Sequence, residues 1–225
     1  MQKERATLSN LIKARSNPIK SNLELNLSQF STMMQTPLQH FNLSAEQEAM
    51  TDAKGVWAHE ITLLGYIHLR GNAQNKDFLT AVKKATGMDL PTAACSLSTI
   101  SSVTILNLSP DEWMLICPRE QRATVQQSLE TALTGIHSQV LDNSGGYTSV
   151  WLQGKQAVDA LQHCTVYNLH ALTSNKVVGT TFGKASVIIY RLENGFCLIL
   201  RRSFSDYIWR YLARAAAPYG FGITA

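Results

Sequence analysis

The chain has 225 residues and a hydrophobic content of 45%, which suits a globular protein with a sizeable core and argues against general disorder. No apolar run approaches the roughly 18 residues of a membrane span, and the first residues lack the apolar stretch of a signal peptide. We therefore expect a cytoplasmic protein without a membrane partner. The net charge of +4 arises within residues 1–20, where five basic side chains stand against one acidic side chain. The remainder is balanced, which argues against a nucleic-acid partner for the folded body.

Residues 1–51 form a predicted basic and polar N-terminal extension, rich in Ser, Asn, Gln and Lys. Within it, LSNLIKA is long enough for one or two helical turns. The basic residues 1–20 leave two interpretations open. They could form an arm for a nucleic acid or a membrane surface, or a solvated or partner-bound extension, which we favour. The folded domain is predicted over residues 52–225.

Strands and helices alternate in the first half of this predicted domain. ITLLGYIHLR (61–70) predicts a strand, and NKDFLTAVKKATG predicts a helix that begins at the cap Asn75 and ends before Gly87. Two apolar runs around the turn SPDE predict a β-hairpin over residues 102–117. An amphipathic helix over residues 119–133 follows.

The second half follows the same scheme. SQVLDNS and YTSVWLQ predict a hairpin around Gly145-Gly146, with the glycines at positive φ, and GKQAVDALQHC predicts a short helix. KASVIIYRL and FCLILRR predict a third hairpin, before a final helix that Ser203 caps and Asp206 supports. The predicted buried face of that helix excludes Trp209 and comprises Phe204, Tyr207, Ile208, Tyr211, Leu212 and Ala215.

The order of these elements indicates the fold class. Strands joined mostly by hairpins, with helices between them, predict an α+β protein rather than a doubly wound parallel sheet. The natural partition is two βαββ-like halves of about 80–90 residues each.

Standard catalytic and cofactor motifs do not occur in the sequence. There is no G-x-G-x-x-G or G-x-S-x-G, and the stretch from Gly179 to Ala185 lacks the spacing and the hydroxyl of a phosphate-binding loop. His163, Cys164 and His170 are suitable zinc-ligand types, but they match no standard spacing and lack a fourth ligand. We therefore predict no catalytic residue and no metal site. The cysteines form no C-x-x-C and are predicted to be buried free thiols.

Asp142 is the one candidate for cofactor binding. It ends an apolar strand just before Gly145-Gly146. A carboxylate at that place could bind a ligand amine or a pterin-like ring. It could equally accept hydrogen bonds from the amides of the turn, which is the more common role and the one we favour.

Arg201 and Arg202 are candidates for a partner surface. They precede a helix N-terminus, where positive charge is mildly destabilising, and they lie near Tyr207 and Trp209. Arg, Trp and Tyr are the residue types enriched at protein–protein hot spots, and Trp113 is a further candidate of this kind. The alternative is that the two arginines pair with acids of their own domain, such as Asp206.

Four stretches together resemble the gamma subunit of heterotetrameric sarcosine oxidase. The family typically shows L-G-P-D-E-W, a V-D-x-S segment, G-C-x-L-D-L-H and an R-S-F-A-x-Y-x-W ending, in this order. The matching stretches are LSPDEWMLI, VLDNSGGYTSVWLQGKQAVDAL, CTVYNLH and RRSFSDYIWRYLARAA. The chain departs from the pattern at Ser109, at Asn168 and at Gln153-Gly154-Lys155. The likeness extends from about residue 60 to residue 216, and leaves residues 1–50 unexplained.

This resemblance implies an α+β subunit whose fold is similar to the folate-binding domain of the glycine-cleavage aminomethyltransferase. It implies a complex that oxidatively demethylates sarcosine to glycine and passes the one-carbon unit to tetrahydrofolate. It further implies alpha, beta and delta subunits as partners. FAD, FMN, NAD and tetrahydrofolate would be held by those subunits and none by this chain alone, whose own role would be assembly and stability. A free-standing folate-binding or aminomethyltransferase-like protein is the alternative.

Overall fold

Two β-sheets, each with helices on its outer face, make up the part of the chain that the structure describes. The structure is a computed structural model and describes residues 35–224. All elements below belong to one unit, Pro37–Ala225. The predicted helical turns in LSNLIKA and the basic residues 1–20 lie outside the described residues.

The five-stranded sheet comes from one continuous stretch of chain. Its strands are β2 (Leu64–Gly71), β3 (Leu97–Ile100), β4 (Val103–Ser109), β5 (Glu112–Pro118) and β6 (Ser138–Asp142). Their order is β3-β4-β5-β2-β6, with all neighbours antiparallel. The predicted hairpin over residues 102–117 is confirmed as β4 and β5.

The six-stranded sheet combines one early strand with the second half of the chain. Its strands are β1 (Val56–Ile61), β7 (Tyr147–Gln153), β8 (Lys176–Phe182), β9 (Ala185–Leu192), β10 (Gly195–Arg201) and β11 (Phe221–Ile223). Their order is β11-β1-β7-β10-β9-β8, and only the β1–β11 pair is parallel. The predicted third hairpin is confirmed as β9 and β10.

Four α-helices connect the strands, and the ends of the first follow the sequence prediction. They are α1 (Lys76–Thr86), α2 (Arg122–Ala132), α3 (Ala157–Gln162) and α4 (Ser205–Ala216). The side chain of Asn75 accepts a hydrogen bond from the amide of Asp77 at 2.9 Å, and Gly87 ends α1 with φ of 76°. This confirms the predicted cap and stop of α1.

The two halves share one topology. In both, the chain runs β-α-β-β-β-α-β: β2 to β6 with α1 and α2, then β7 to β11 with α3 and α4. The central three strands form an antiparallel meander in each half, and its last strand pairs with the first strand of the half. The only departure is that β1 lies between β7 and β11. The α+β class and the division into two halves are therefore confirmed, with two strands and one helix more per half than the predicted βαββ unit.

The core has three layers of apolar side chains. One lies between the five-stranded sheet and α1 and α2, and includes Ile67, Phe78 and Leu129. One lies between the two sheets and includes Met114 and Ile199. The third lies between the six-stranded sheet and α3 and α4. The order of the layers is therefore helices, sheet, sheet, helices.

The predicted hairpin around Gly145-Gly146 is wrong. Strand β6 pairs with β2 in one sheet, whereas β7 pairs with β1 and β10 in the other. The link between them is a 3₁₀ turn, Ser144–Gly146, and neither glycine has positive φ. The chain crosses between the sheets here, because β6 and β7 belong to different halves.

Residues 37–50 pack on the six-stranded sheet. Leu38 is fully buried in the core between this sheet and its helices, and Gln47 forms an isolated bridge with Ile223. The predicted boundary at residue 52 stays a prediction, although the described chain joins the core before it. Within residues 35–224 no helix has the length and apolarity needed to cross a membrane.

Candidate functional site

The carboxylate of Asp142 is engaged by its own turn. Its Oδ1 accepts hydrogen bonds from the amide of Ser144 at 2.9 Å and from the Ser144 hydroxyl. Its Oδ2 lies 3.3 Å from the Arg122 guanidinium. Burial opposes ionisation, but the Ser144 bonds and the charge of Arg122 outweigh it, so the pKa of Asp142 is lowered. Of the two roles considered for Asp142, the structure therefore shows the one in the turn, where its carboxylate accepts a hydrogen bond from a turn amide.

The Asp142 turn adjoins a polar seam between the sheets. The amide of Tyr66 donates to the Ser144 hydroxyl at 2.9 Å, and the Tyr66 phenol lies 2.7 Å from the Ser149 hydroxyl. His68 stacks on Tyr147, with ring centroids 5.7 Å apart. Burial raises the pKa of Tyr66, so its phenol stays protonated and cannot activate Ser149 as a nucleophile. This seam joins the two sheets without forming a nucleophile–base pair.

Arg201 lies at the end of β10, directly opposite Tyr147 on β7. Its guanidinium carbon is 5.8 Å from the Tyr147 ring centroid, a cation–π contact. Both residues line a groove of about 560 Å³, which also includes residues of β8 and β9. An exposed arginine held on an aromatic ring keeps its planar donors available for a carboxylate.

An exposed patch of aromatic and basic residues continues from Arg201 into α4. Arg202 is exposed, Phe204 is 43% exposed and Tyr207 is 39% exposed. The Tyr207 hydroxyl accepts a hydrogen bond from the amide of Lys184 at 3.1 Å, which fixes its position. We name Arg201, Arg202, Phe204 and Tyr207 the arginine–aromatic patch.

Asp206, which the sequence suggested as an acidic partner, pairs with Arg210 and His40 rather than with Arg201. It accepts hydrogen bonds from Arg210 at 3.0 and 3.2 Å, and it lies 2.7 Å from Nε2 of His40. These two contacts lower the pKa of Asp206. The predicted capping role of Ser203 and Asp206 is wrong, since α4 begins after Phe204 and has no side-chain cap.

Trp113 and Trp209 are both core residues. Trp113 is fully buried, and its indole N–H donates to the carbonyl of Pro91 at 2.7 Å. Trp209 is 3% exposed and packs between Phe41 and Phe221, with ring centroids 6.1 and 5.8 Å away. The prediction that Trp209 lies off the buried face is wrong. Neither indole offers surface to a partner, so of the candidate interface residues Arg201, Arg202 and Tyr207 remain.

The three possible zinc ligands, His163, Cys164 and His170, do not share a common site. The His163 ring contacts the Tyr219 hydroxyl at 2.9 Å, and the His170 ring lies 3.4 Å from Asp159. Cys164 is buried, and burial raises the pKa of its thiol to about 12. Among residues 35–224, no group of three or more His, Cys, Asp or Glu side chains is placed to hold a metal ion.

The four cysteines are free, but not all are buried. Cys117, Cys164 and Cys197 are buried as predicted, and burial raises the pKa of Cys117 and of Cys197 to about 11. Cys95 is exposed, contrary to the prediction. It lies in the link between α1 and β3 with φ of 57°, where no apolar strand pattern surrounds it.

The layered arrangement of two repeated βαβββαβ halves defines the class of protein. The aminomethyltransferase T of the glycine cleavage system from Bartonella henselae has a similar fold, with a TM-score of 0.64 and 14% identity. That match covers 85% of this chain and 60% of the other. The chain therefore has the aminomethyltransferase type of fold.

A family model identifies the chain more specifically than its fold does. The model of the sarcosine oxidase gamma subunit family matches residues 70–218, and the chain belongs to this family. A chain of the heterotetrameric sarcosine oxidase from Corynebacterium sp. U-96, solved with pyrrole 2-carboxylate, is 23% identical with a TM-score of 0.75. That match covers 86% of this chain and all of the other. Among curated protein sequences, the comparison finds no match.

Proposed function

We propose that this chain is the gamma subunit of a heterotetrameric sarcosine oxidase. The complex oxidatively demethylates sarcosine to glycine and passes the one-carbon unit to tetrahydrofolate. Membership of the gamma subunit family over residues 70–218 is the observation that carries this proposal. The role of the chain itself is assembly and stability, for which the arginine–aromatic patch is the best candidate surface.

The partners in this proposal are alpha, beta and delta subunits in the cytoplasm. FAD, FMN, NAD and tetrahydrofolate belong to those subunits. This division of roles agrees with a sequence that has no dinucleotide fingerprint and no phosphate-binding loop. It also agrees with Asp142, whose carboxylate is occupied by Ser144 and Arg122.

A native purification tests the proposal. The chain is tagged in its own host, its companions are identified by mass spectrometry, and the visible spectrum of the product is recorded. We expect three further subunits and flavin absorbance at about 450 nm. A colourless and solitary 24.9 kDa protein would contradict the proposal.

The arginine–aromatic patch has its own test within the complex. If Arg202 and Tyr207 are hot spots, replacing either with Ala should weaken assembly by about 2 kcal/mol or more. Ile100→Ala is a matched control, because Ile100 is 48% exposed but lies on β3 of the other sheet. Equal assembly of all three variants at nanomolar concentration would exclude the patch as the main contact.

The fold favours a second candidate function, a free-standing folate-binding or aminomethyltransferase-like protein. Its support is the likeness to aminomethyltransferase T, but this chain spans only 60% of that protein. Calorimetric titration with tetrahydrofolate separates the two functions. Heat of binding to the chain alone would favour the second function, whereas no heat and no thermal shift would remove it.

A further inference from the structure

Strand β8 is the outermost strand of the six-stranded sheet, and within residues 35–224 the main-chain contacts on its outer side lie at its two ends. At one end, the amide of Val177 donates to the carbonyl of Cys95 at 3.0 Å, next to the bridge between Ser96 and Lys176. At the other end, the amide of Gly183 donates to the carbonyl of Cys164 at 2.8 Å, next to the bridge between Thr165 and Phe182. Neither bridge includes the residues between Val177 and Phe182.

The pairing register shows which main-chain groups face outward in this gap. Alternate residues of an antiparallel edge strand direct N–H and C=O away from the neighbouring strand. Val177 and Gly183 use outward amides, so Gly179 and Thr181, which alternate with them, also direct their amides away from β9. Both residues are exposed. The edge thus offers main-chain groups to an added strand.

A groove lies beside this gap on the side that faces the five-stranded sheet. The 560 Å³ groove is lined by Gly179 and Thr181 of β8, by Ile188 of β9 and by Ile199 and Arg201 of β10. Gly179, Ile188 and Ile199 are cross-strand neighbours. Val166, at the rim, is 88% exposed, the largest exposed fraction among the large apolar side chains described. The groove therefore combines apolar lining residues with an open sheet edge.

The charge of the groove is positive. Its lining contains Arg201 and no acidic residue. None of the ion pairs formed within residues 35–224 includes Arg201. A carboxylate is the complementary group for such a planar, exposed guanidinium.

We propose that the edge of β8 and this groove bind an extended segment of a partner subunit, which adds a short strand at Gly179 and Thr181 and directs an acidic side chain into the groove towards Arg201. The proposal rests on the proposed function and specifies one contact within that complex. Main-chain hydrogen bonds would supply affinity, while the groove and Arg201 would select the side chains of the segment.

Gly179 allows a matched pair of variants. A Cβ at this position meets no atom within 4 Å, so Gly179→Ala keeps the amide and fits without a clash. Gly179→Pro removes the outward N–H but leaves the hydrogen bonds to β9 intact, because the Gly179 N–H does not point towards β9. Proline is tolerated at such a position on an edge strand. We expect Gly179→Pro to weaken binding to the other subunits about tenfold or more, and Gly179→Ala to leave it unchanged.

Arg201→Gln provides a second variant that leaves the backbone intact. It should weaken the same binding and reduce its dependence on salt, because the charge contact is lost. Arg214→Gln is the control, since Arg214 is exposed on α4, on the opposite face of the sheet. Thermal melts of each variant would show whether the chain itself stays folded.

Hydrogen exchange of the assembled complex measures the contact directly. We expect the Gly179 and Thr181 amides to become protected on assembly, in contrast to exposed amides of β3. Normal assembly of Gly179→Pro and Arg201→Gln without this protection would overturn the inference and leave the proposed function standing. Failure of the wild-type chain to assemble would overturn the proposed function itself. A dimer of the chain alone that Gly179→Pro dissociates would assign the edge to a second copy instead.

Discussion

Replacing Trp113 tests whether this residue is a core side chain or an interface side chain. In the structure it is fully buried, its ring centroid is 5.8 Å from that of Phe78, and its indole N–H donates to Pro91. Truncating a buried Trp to Ala costs about 3–5 kcal/mol, from lost burial and the cavity left behind. For a chain of this length, that corresponds to a fall in Tm of about 6–20 °C.

Trp113→Phe separates the hydrogen bond from the packing. It keeps most of the apolar ring but removes the donor to the Pro91 carbonyl. That carbonyl retains a second donor, the Asn107 side chain at 3.2 Å, so it is not left unpaired. We therefore expect a smaller loss, about 1–2 kcal/mol.

Chemical denaturation of the purified chain, followed by circular dichroism, measures both variants. Leu141→Ala is the control, because Leu141 is 49% exposed and its truncation should change stability by less than about 0.5 kcal/mol. A Trp113→Ala chain that unfolds at the wild-type midpoint but assembles poorly would refute the core role and return Trp113 to an interface.

Three further outcomes follow from the described contacts. The lowered pKa of Asp142 means that its ionised form stabilises the fold above the ordinary carboxyl pKa of about 4, and that this stabilisation is lost as pH falls through the lowered value. Asp142→Asn should therefore lower the free energy of unfolding at neutral pH. This difference from the wild type should shrink on acidification, which denaturation between about pH 3 and pH 7 would measure. Gly87→Ala should lower the free energy of unfolding by about 1 kcal/mol, because of backbone strain at φ of 76° alone. Gly154→Ala should lower it by about 2 kcal/mol or more in the same assay, because its Cβ would also lie 2.3 Å from the Gly55 carbonyl oxygen. Only one thiol, that of Cys95, should react rapidly with a thiol reagent in the native chain, and all four after unfolding.

Local sequence predicted the elements better than their assembly. Alternation and turn residues identified β4 with β5, β9 with β10, and α1 with its cap at Asn75. These features depend on neighbouring residues alone. Membership of a sheet does not, so the short stretch between β6 and β7 resembled a hairpin although the chain crosses between sheets there.

The face of α4 shows why a helix orientation is harder to predict. The predicted and observed buried faces share Ile208 and Leu212. The prediction is wrong for Phe204 and Tyr207, which are exposed, and the observed face includes Trp209 and Ala216 instead. Helical spacing allows either face. Trp209 is buried because Phe41 and Phe221 pack around it, and these come from distant parts of the chain. Sequence spacing could not reveal those contacts.

The candidate surface was predicted in part. Residue type and position indicated Arg201, Arg202 and Tyr207, which the structure leaves at least partly exposed. The edge at Gly179 was missed, because KVVGTTF was not recognised as a strand. A run of β-branched residues between two turn regions was the available signal.

The position of β1 has a consequence for how the chain matures during synthesis. Val56 lies opposite Phe221, so the first strand within residues 35–224 is paired with the last strand of that range. The five-stranded sheet needs nothing beyond Asp142 and can form while the ribosome is still reading the second half. The six-stranded sheet must wait for Ile223, and contacts of such long range close slowly. We expect nascent chains that contain the complete first half to be partly protected from proteases. Strand β1 can pair with β7 once Gln153 is available, whereas the β1–β11 pair can form only after β11 has left the ribosome.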